Sequence, residues 1–458
     1  MLKKLFNPFR LTRQRKEPEQ PTVLDAHEHR LSCADFSRNA ANVAVRLQQA
    51  GFEAYLVGGC VRDSLIDVKP KDFDVATNAT PEQVRHEFRN SRIIGRRFRL
   101  VHVHFGRELI EVATFRSNHE QDDDVANNDQ SAHDASGRIL RDNVYGNMED
   151  DAQRRDFTMN ALYFDVSTDQ VHDYSTGFAD IQRRLIRLIG DPEQRYLEDP
   201  VRMLRAIRFA AKLGFEIEDS TAEPISRLAH LLRDIPSARL YEEVLKLFLS
   251  GYAERTYELL CEYNLFAELF PGTAKALIRR PANVDRLLRN AFKSTDKRVQ
   301  MDRPVTPAFL FAALLWPSLT VRAIGLQNDG MHPLPAMQEA ANQVLLEQLQ
   351  RVALPKRFSM PTREIWDMQE RLPRRSGKRA DTLLAHPRFR AAYDFLLLRE
   401  SAGEPTEELG TWWTHYQDAS DSQRREMISE LSSRSGAPRK RKRKPRGNKP
   451  AHTQAGQD

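Results

Sequence analysis

Residues 55–77, YLVGGCVRDSLIDVKPKDFDVAT, decide how the N-terminal half of this chain is read. AYLV (54–57) is a short apolar run that suits a buried strand, and the Gly58–Gly59 pair ends it. Asp72 and Asp74 follow with one residue between them. Side chains alternate along a strand, so residues two apart share a face. Two carboxylates so placed repel unless a cation lies between them. A hard divalent ion such as Mg²⁺ suits the position, because it takes one or two carboxylates plus substrate phosphates. Two such ions clamp an in-line phosphoryl or nucleotidyl transfer. Glycines let backbone amides approach a phosphate, and a helix start favours anions. Arg62, one turn in, offers a planar fork of donors. An Asp-x-Asp or a Gly-Gly is weak by itself. The two together, with Arg62 between them and twelve residues separating Gly59 from Asp72, are far more specific.

Working outward, Ala40, Val43, Ala44 and Leu47 recur at helical spacing and Gly51 stops that helix. Thr80 caps a helix with Pro81 at its first position. RLVHVHF (99–105) and LIEVATFR (109–116) read as strands, and residues 160–181 as a hairpin-like segment. The polar, acidic stretch 117–138 reads as a mobile loop. From about residue 180 strand patterns give way to helical ones, with Pro-rich joints near 270–282 and 354–361. The expected fold class is therefore α+β: a head with a mixed sheet, followed by an all-helical neck and body.

A chain of 458 residues exceeds one simple core. No run approaches the roughly 18 apolar residues of a membrane span, so integral insertion is not expected. Cys33, Cys60 and Cys261 are scattered and odd in number, which excludes a disulfide framework and points to a reducing, cytoplasmic setting. Residues 1–16 carry six Lys/Arg and 434–450 carry nine, neither with an acid, against a net charge of +6 for the chain. The middle is therefore acidic and the two ends supply the basic character, which suits polyanion contact through tails. The leader lacks the apolar core of a signal peptide, and its mix of Lys, Arg, Leu and Phe allows weak membrane-surface contact at most.

The motifs resemble a family. LVGGCVRD…KPKDFDVAT, EVATFR (111–116), RRDFTMNAL (154–162), DYSTG (173–177) and EDPVRMLRAIRFAAKLGF (198–215) occur in the order found in class II nucleotidyltransferases of the DNA polymerase β superfamily. That family comprises the bacterial poly(A) polymerases and the CCA-adding tRNA nucleotidyltransferases. The resemblance covers about residues 50–250. It implies a polymerase β-like head, two Mg²⁺ ions (Mn²⁺ substituting) held by Asp72 and Asp74, and template-free addition of nucleotides to an RNA 3′ end. It groups Asp156 with the two aspartates as catalytic; Glu111, on a strand, is the competing third acid. It places Gly58, Gly59, Arg62, Arg155, Asp199, Arg202 and Arg205 at the ATP. Asp199 reads as a helix cap before Pro200, and the resemblance makes Asp199 and Arg202 readers of the base edge.

Within the family, RIIGRRFRLVHVHFG (92–106) resembles the poly(A) polymerase signature. Its Arg96, Arg97 and Arg99, with Arg439, Lys440, Arg441, Lys442, Arg443 and Lys444 of the tail, are the expected RNA contacts. ATP and RNA 3′ ends are the expected ligands, and an RNA chaperone, helicase or ribonuclease the expected class of protein partner. The expected division is a basic leader (1–35) without structure, a head (36–180), a neck (181–260), a body (261–433) and a basic tail (434–458). A CCA-adding enzyme is the alternative; a non-catalytic RNA-binding protein is disfavoured by the intact Asp-x-Asp.

Overall fold

The computed structural model describes residues 21–95, 99–117, 131–133, 139–142, 144–279 and 281–434. Arg96, Arg97 and the tail residues Arg439 to Lys444 lie outside them, as does most of the 117–138 insert. The chain divides into two compact units between Met360 and Pro361.

The first unit opens with the strands β1 (Thr22–Leu24), β2 (Ala54–Val57), β3 (Phe73–Thr77), β4 (Ser91–Ile94), β5 (Leu100–Phe105) and β6 (Glu108–Thr114). A small pair, β7 (Ser131–His133) and β8 (Ile139–Asp142), precedes β9 (Leu162–Asp165) and β10 (Gln170–Asp173). Eight of these form one sheet in the order β1-β10-β9-β2-β3-β6-β5-β4. All neighbours are antiparallel except β3 and β6, which run parallel, so the sheet is mixed as expected. Alternation explains the packing: along β5, Val101 and Val103 are buried while His104 is exposed. Val57, Ala76, Phe115 and Tyr163 pack on one side of the sheet with Met148 and Ala152 of the helix Met148–Gln153.

Two expectations need correction here. The leader is not structureless to residue 35. β1 pairs with β10, Leu24 and Leu31 are buried, and His29 Nε2 lies 3.1 Å from the Asp169 carbonyl oxygen. The basic run that suggested disorder stops at Lys16, and the apolar residues beyond it find a sheet edge. Strands also persist past residue 180, as the parallel pair β11 (Leu185–Ile186) and β12 (Glu216–Ile217).

The remainder of the unit is helical. Among the described residues one helix, Pro307–Asn328, is long and apolar enough to cross a membrane, contrary to the reading that no such run exists. Its residues from Leu310 to Leu319 are buried, and it packs on the helices Pro271–Arg279, Pro281–Gln300 and Pro333–Leu349. Apolar character on every side marks a helix surrounded by protein as readily as one in lipid. Prolines act here less as joints than as helix starts, at Pro271, Pro281, Pro307 and Pro333, where a missing N–H costs nothing. Other prolines lie inside helices: Pro224 in Asp219–Leu228, Pro317 in Pro307–Asn328 and Pro361 in Lys356–Arg371.

The second unit has its own core. Met368, Leu372, Ala380, Leu383, Phe389, Leu396, Leu409, Trp413 and Tyr416 bury one another. Trp413 keeps its indole N–H satisfied by donating to the Leu372 carbonyl at 3.2 Å.

Candidate active site

The site grows from sheet register. β2 pairs with β3 so that Val57 lies opposite Asp74, which brings the turn at Gly58 beside that carboxylate. β3 pairs with β6 so that Asp74 lies level with Glu111. His102 on β5 comes next across the sheet, its Nε2 3.4 Å from Glu111 Oε2. Asp72, exposed just before β3, completes an acidic group. Burial, then the charges of Glu111 and Asp72, push the Asp74 carboxyl up to about 6, against the opposing pull of Arg155. Carboxylates held this close against their own repulsion suit a divalent cation. Among the described residues no three or more His, Cys, Asp or Glu side chains form a ready-made cage.

Beside the acids stands a cluster of cations. Burial first, then the like charges of Arg116, Arg155, Arg195 and Arg202, together lower Arg154 to about 9. Arg155 links the two groups. It donates to Asp151 Oδ2 through Nη2 at 2.9 Å and to Tyr163 Oη through Nε at 3.0 Å. It also crosses Gly58, where an added Cβ would meet Arg155 Nη1 at 3.6 Å. Gly58 itself has φ +77° and ψ −126°, a conformation that side chains other than hydrogen resist. Gly58→Ala is therefore expected to cost about 1–3 kcal/mol of stability in urea unfolding, through the backbone conformation rather than through a clash with Arg155; an alanine protein with unchanged stability would contradict this.

Several expected contacts take other forms. Arg62 is only 3% exposed. It donates to Asp63 Oδ1 through Nε at 2.8 Å and to Asn160 Oδ1 through Nη1 at 2.5 Å, and Lys212 Nζ reaches Asp63 Oδ2 at 3.3 Å. Its guanidinium thus ties the helix Gly59–Leu65 to Asn160, while Lys212 of the helix Val201–Leu213 pairs with Asp63. Asp156 accepts from Arg205 Nε at 2.6 Å, from the Phe157 amide at 2.8 Å and from Asn160 Nδ2 at 3.1 Å. Burial pushes its carboxyl up, but Arg205, with those hydrogen bonds, outweighs this and holds it down at about 2. Glu111, not Asp156, is the acid in register with Asp74. Phe209 carries three guanidiniums around its ring: Arg208 at 4.6 Å, Arg62 at 5.1 Å and Arg205 at 5.8 Å.

The neck helix begins at Val201 with Pro200 as its cap, one residue later than expected, and Asp199 ends the preceding helix Pro192–Glu198. Asp199 Oδ2 accepts from Arg239 Nη2 at 2.7 Å, while Arg202 Nη1 donates to Glu198 Oε2 at 2.8 Å and to the Arg195 carbonyl at 2.7 Å. The two expected base readers therefore have separate partners. Arg99 pairs with Glu82 of the helix Pro81–Glu87. Arg116, Arg154 and Arg195 were missed by sequence reasoning. Arg154 was within reach as the first half of the Arg-Arg pair in RRDFT, and Arg116 ends the strand motif that carries Glu111.

Three family models match the chain in order: "Poly A polymerase head domain" over residues 54–187, "Probable RNA and SrmB- binding site of polymerase A" over 214–277, and "Polymerase A arginine-rich C-terminus" over 329–448. Poly(A) polymerase I of Escherichia coli O6:H1 is 50% identical over 450 residues, spanning 96% of each chain. The chain belongs to the poly(A) polymerase family. A CCA-adding enzyme of Lactobacillus helveticus is 36% identical over 240 residues, which is 52% of this chain and 57% of that one. The Thermotoga maritima CCA-adding enzyme complexed with tRNA superposes with a TM-score of 0.56 at 16% identity, over 92% of each chain, and supports the fold alone.

Proposed function

We infer that the chain is a polynucleotide adenylyltransferase. It transfers AMP from ATP to the 3′-OH of RNA, without a template, and releases pyrophosphate. The observation that carries the chemistry is the acidic group in register across β3 and β6, with a cluster of arginines beside it and Arg155 between the two. The full-length likeness to poly(A) polymerase I carries the choice of nucleotide and substrate. The 3′ oxygen attacks the α-phosphorus, the bond to the bridging oxygen of the β-phosphate breaks, and the hydroxyl proton is lost.

Asp72, Asp74 and Glu111 would hold the divalent ions. Bound there, such ions acidify the 3′-OH and neutralise the charge that develops on pyrophosphate. Glu111 replaces Asp156 as our third acid. Arg155, with Arg116 and Arg154, would receive the triphosphate, and the Gly58–Gly59 turn would let it approach. Arg62 and Asp156 position their neighbours: the first ties its helix to Asn160, and the second orients Arg205. Asp199, oriented by Arg239, and Arg202, oriented by Glu198, are retained as base-edge contacts with a preset pattern of donors and acceptors. The basic leader and tail are proposed to hold RNA or partners that process it, such as a chaperone, helicase or ribonuclease, in the cytoplasm.

Supplying purified protein with an unstructured RNA and each of the four nucleoside triphosphates in turn tests this reading. Long tails from ATP alone are expected. Addition of C residues to tRNA lacking its CCA end would replace it with the CCA-adding activity.

A further inference from the structure

The second unit contains a feature that the adenylation site does not use. Residues 371–379, RLPRRSGKR, carry five cationic side chains. Leu372 and Ala380 are buried in the core of the unit, as is Leu383, which turns the charged residues between them outward. Gly377, at φ +62°, makes the turn. Arg375 pins it: its guanidinium lies 4.9 Å from the Trp412 ring and Nη1 donates to the Pro373 carbonyl at 3.3 Å. The remaining four, Arg371, Arg374, Lys378 and Arg379, line a cleft of about 840 Å³ together with the hydroxyl-bearing Ser376 and Thr382.

Three arginines elsewhere on this unit are matched by acids, Arg388 with Glu364 at 2.8 Å, Arg390 with Asp394 at 3.0 Å and Arg399 with Glu404 at 2.8 Å, while Arg424 and Arg425 donate to backbone carbonyls. No ion pair joins Arg374, Lys378 or Arg379 to an acid among the described residues. The nearby Asp381 is already engaged, accepting from Tyr416 Oη at 2.7 Å. Among the described residues of this unit no large hydrophobic side chain is exposed, which leaves an apolar partner nothing to bury. We propose that this cleft binds the phosphate backbone of single-stranded RNA, through Arg374, Lys378 and Arg379 at its rim. The proposal rests on the reading of RNA as substrate and adds a second hold on it, outside the adenylation site. Such a hold is independent of sequence, because phosphates are the same in every RNA.

The test compares full-length R374Q/K378Q/R379Q with the unsubstituted protein. The fluorescence anisotropy of a labelled, unstructured oligoribonucleotide is followed from about 50 to about 200 mM KCl. Three lost single-strand contacts lower the slope of log affinity against log salt by about 2, so the advantage of the unsubstituted protein shrinks roughly 20-fold across that range. Lys378→Glu alone moves the slope the same way. A control with the same charge removed elsewhere, R388Q/R390Q/R425Q, keeps the original slope. An unchanged slope in the cleft variant overturns the proposal, as does an equal fall in the control. ATP affinity falling together with RNA affinity overturns it too, since the cleft would then take free nucleotide. A failure of the unsubstituted protein to extend RNA with ATP sinks the polyadenylation reading instead, and the slope comparison still judges the cleft.

Discussion

Asp74→Ala is expected to slow AMP addition about a thousandfold or more, a loss of several kcal/mol of transition-state stabilisation. The change removes the central member of the acidic group, level with Glu111 and flanked by Asp72. Glu111→Gln is expected to act in the same direction with the fold intact; an enzyme with that change at full rate would return the third-acid role to Asp156. A second readout needs no turnover. The Asp74 carboxyl is pushed up to about 6, above its ordinary value, so keeping it ionised at neutral pH costs the fold, a cost that appears as pH rises from about 4 through 6. Asp74→Asn should thus raise the Tm at pH 7.5 in the presence of a chelator while abolishing turnover. A lower Tm would mean that the aspartate is structural.

Asp156→Ala should do the opposite: it should destabilise the unit by about 3–5 kcal/mol, because it strands Arg205 without its partner. Two further donors, the Phe157 amide and Asn160, lose their acceptor at the same time. The pH dependence has a definite sign. With its folded value held at about 2, below the ordinary carboxylate value, Asp156 adds stability that is complete above about pH 4 and fades as pH falls through 2. The span corresponds to about 2 kcal/mol. Urea unfolding of wild type and Asp156→Ala between pH 2 and 6 reads this as two curves that converge in acid. Parallel curves would remove the ion pair from the account. Arg205→Met, which can fill similar space without charge, should lose the same pH dependence.

The elements of the head were legible because strands announce themselves locally. Val101, Val103, Val112 and their polar neighbours alternate, and Thr80 with Pro81 marks a helix start. Their arrangement was not. Nothing local says that β2 lies between β9 and β3, or that β3 and β6 run parallel, yet that pairing alone sets Glu111 beside Asp74. Long charged side chains were the least legible, because each can choose a polar partner far away in sequence. Arg62 finds Asn160, Arg205 finds Asp156, and Asp199 finds Arg239, separations of 98, 49 and 40 residues. Motif spacing identified the residues that matter without saying which of them touch substrate and which hold the others. The helix Pro307–Asn328 was misjudged for a different reason. Its Trp, Pro and Ser residues interrupt the apolar run without making it polar, and only the packing of its neighbours separates a core helix from a membrane span.

The level pairing of β3 with β6 also limits how such a protein can change over time. Side chains alternate with a period of two, so inserting or deleting one residue inside either strand would carry Asp74 or Glu111 to the opposite side of the sheet. A loop can lengthen without touching that pairing. Heritable length variation is therefore confined to the connections, while the two acidic strands keep an unvarying residue count. Descendants of this chain can diversify the RNA they handle by lengthening loops, but not by lengthening the strands that hold the acids.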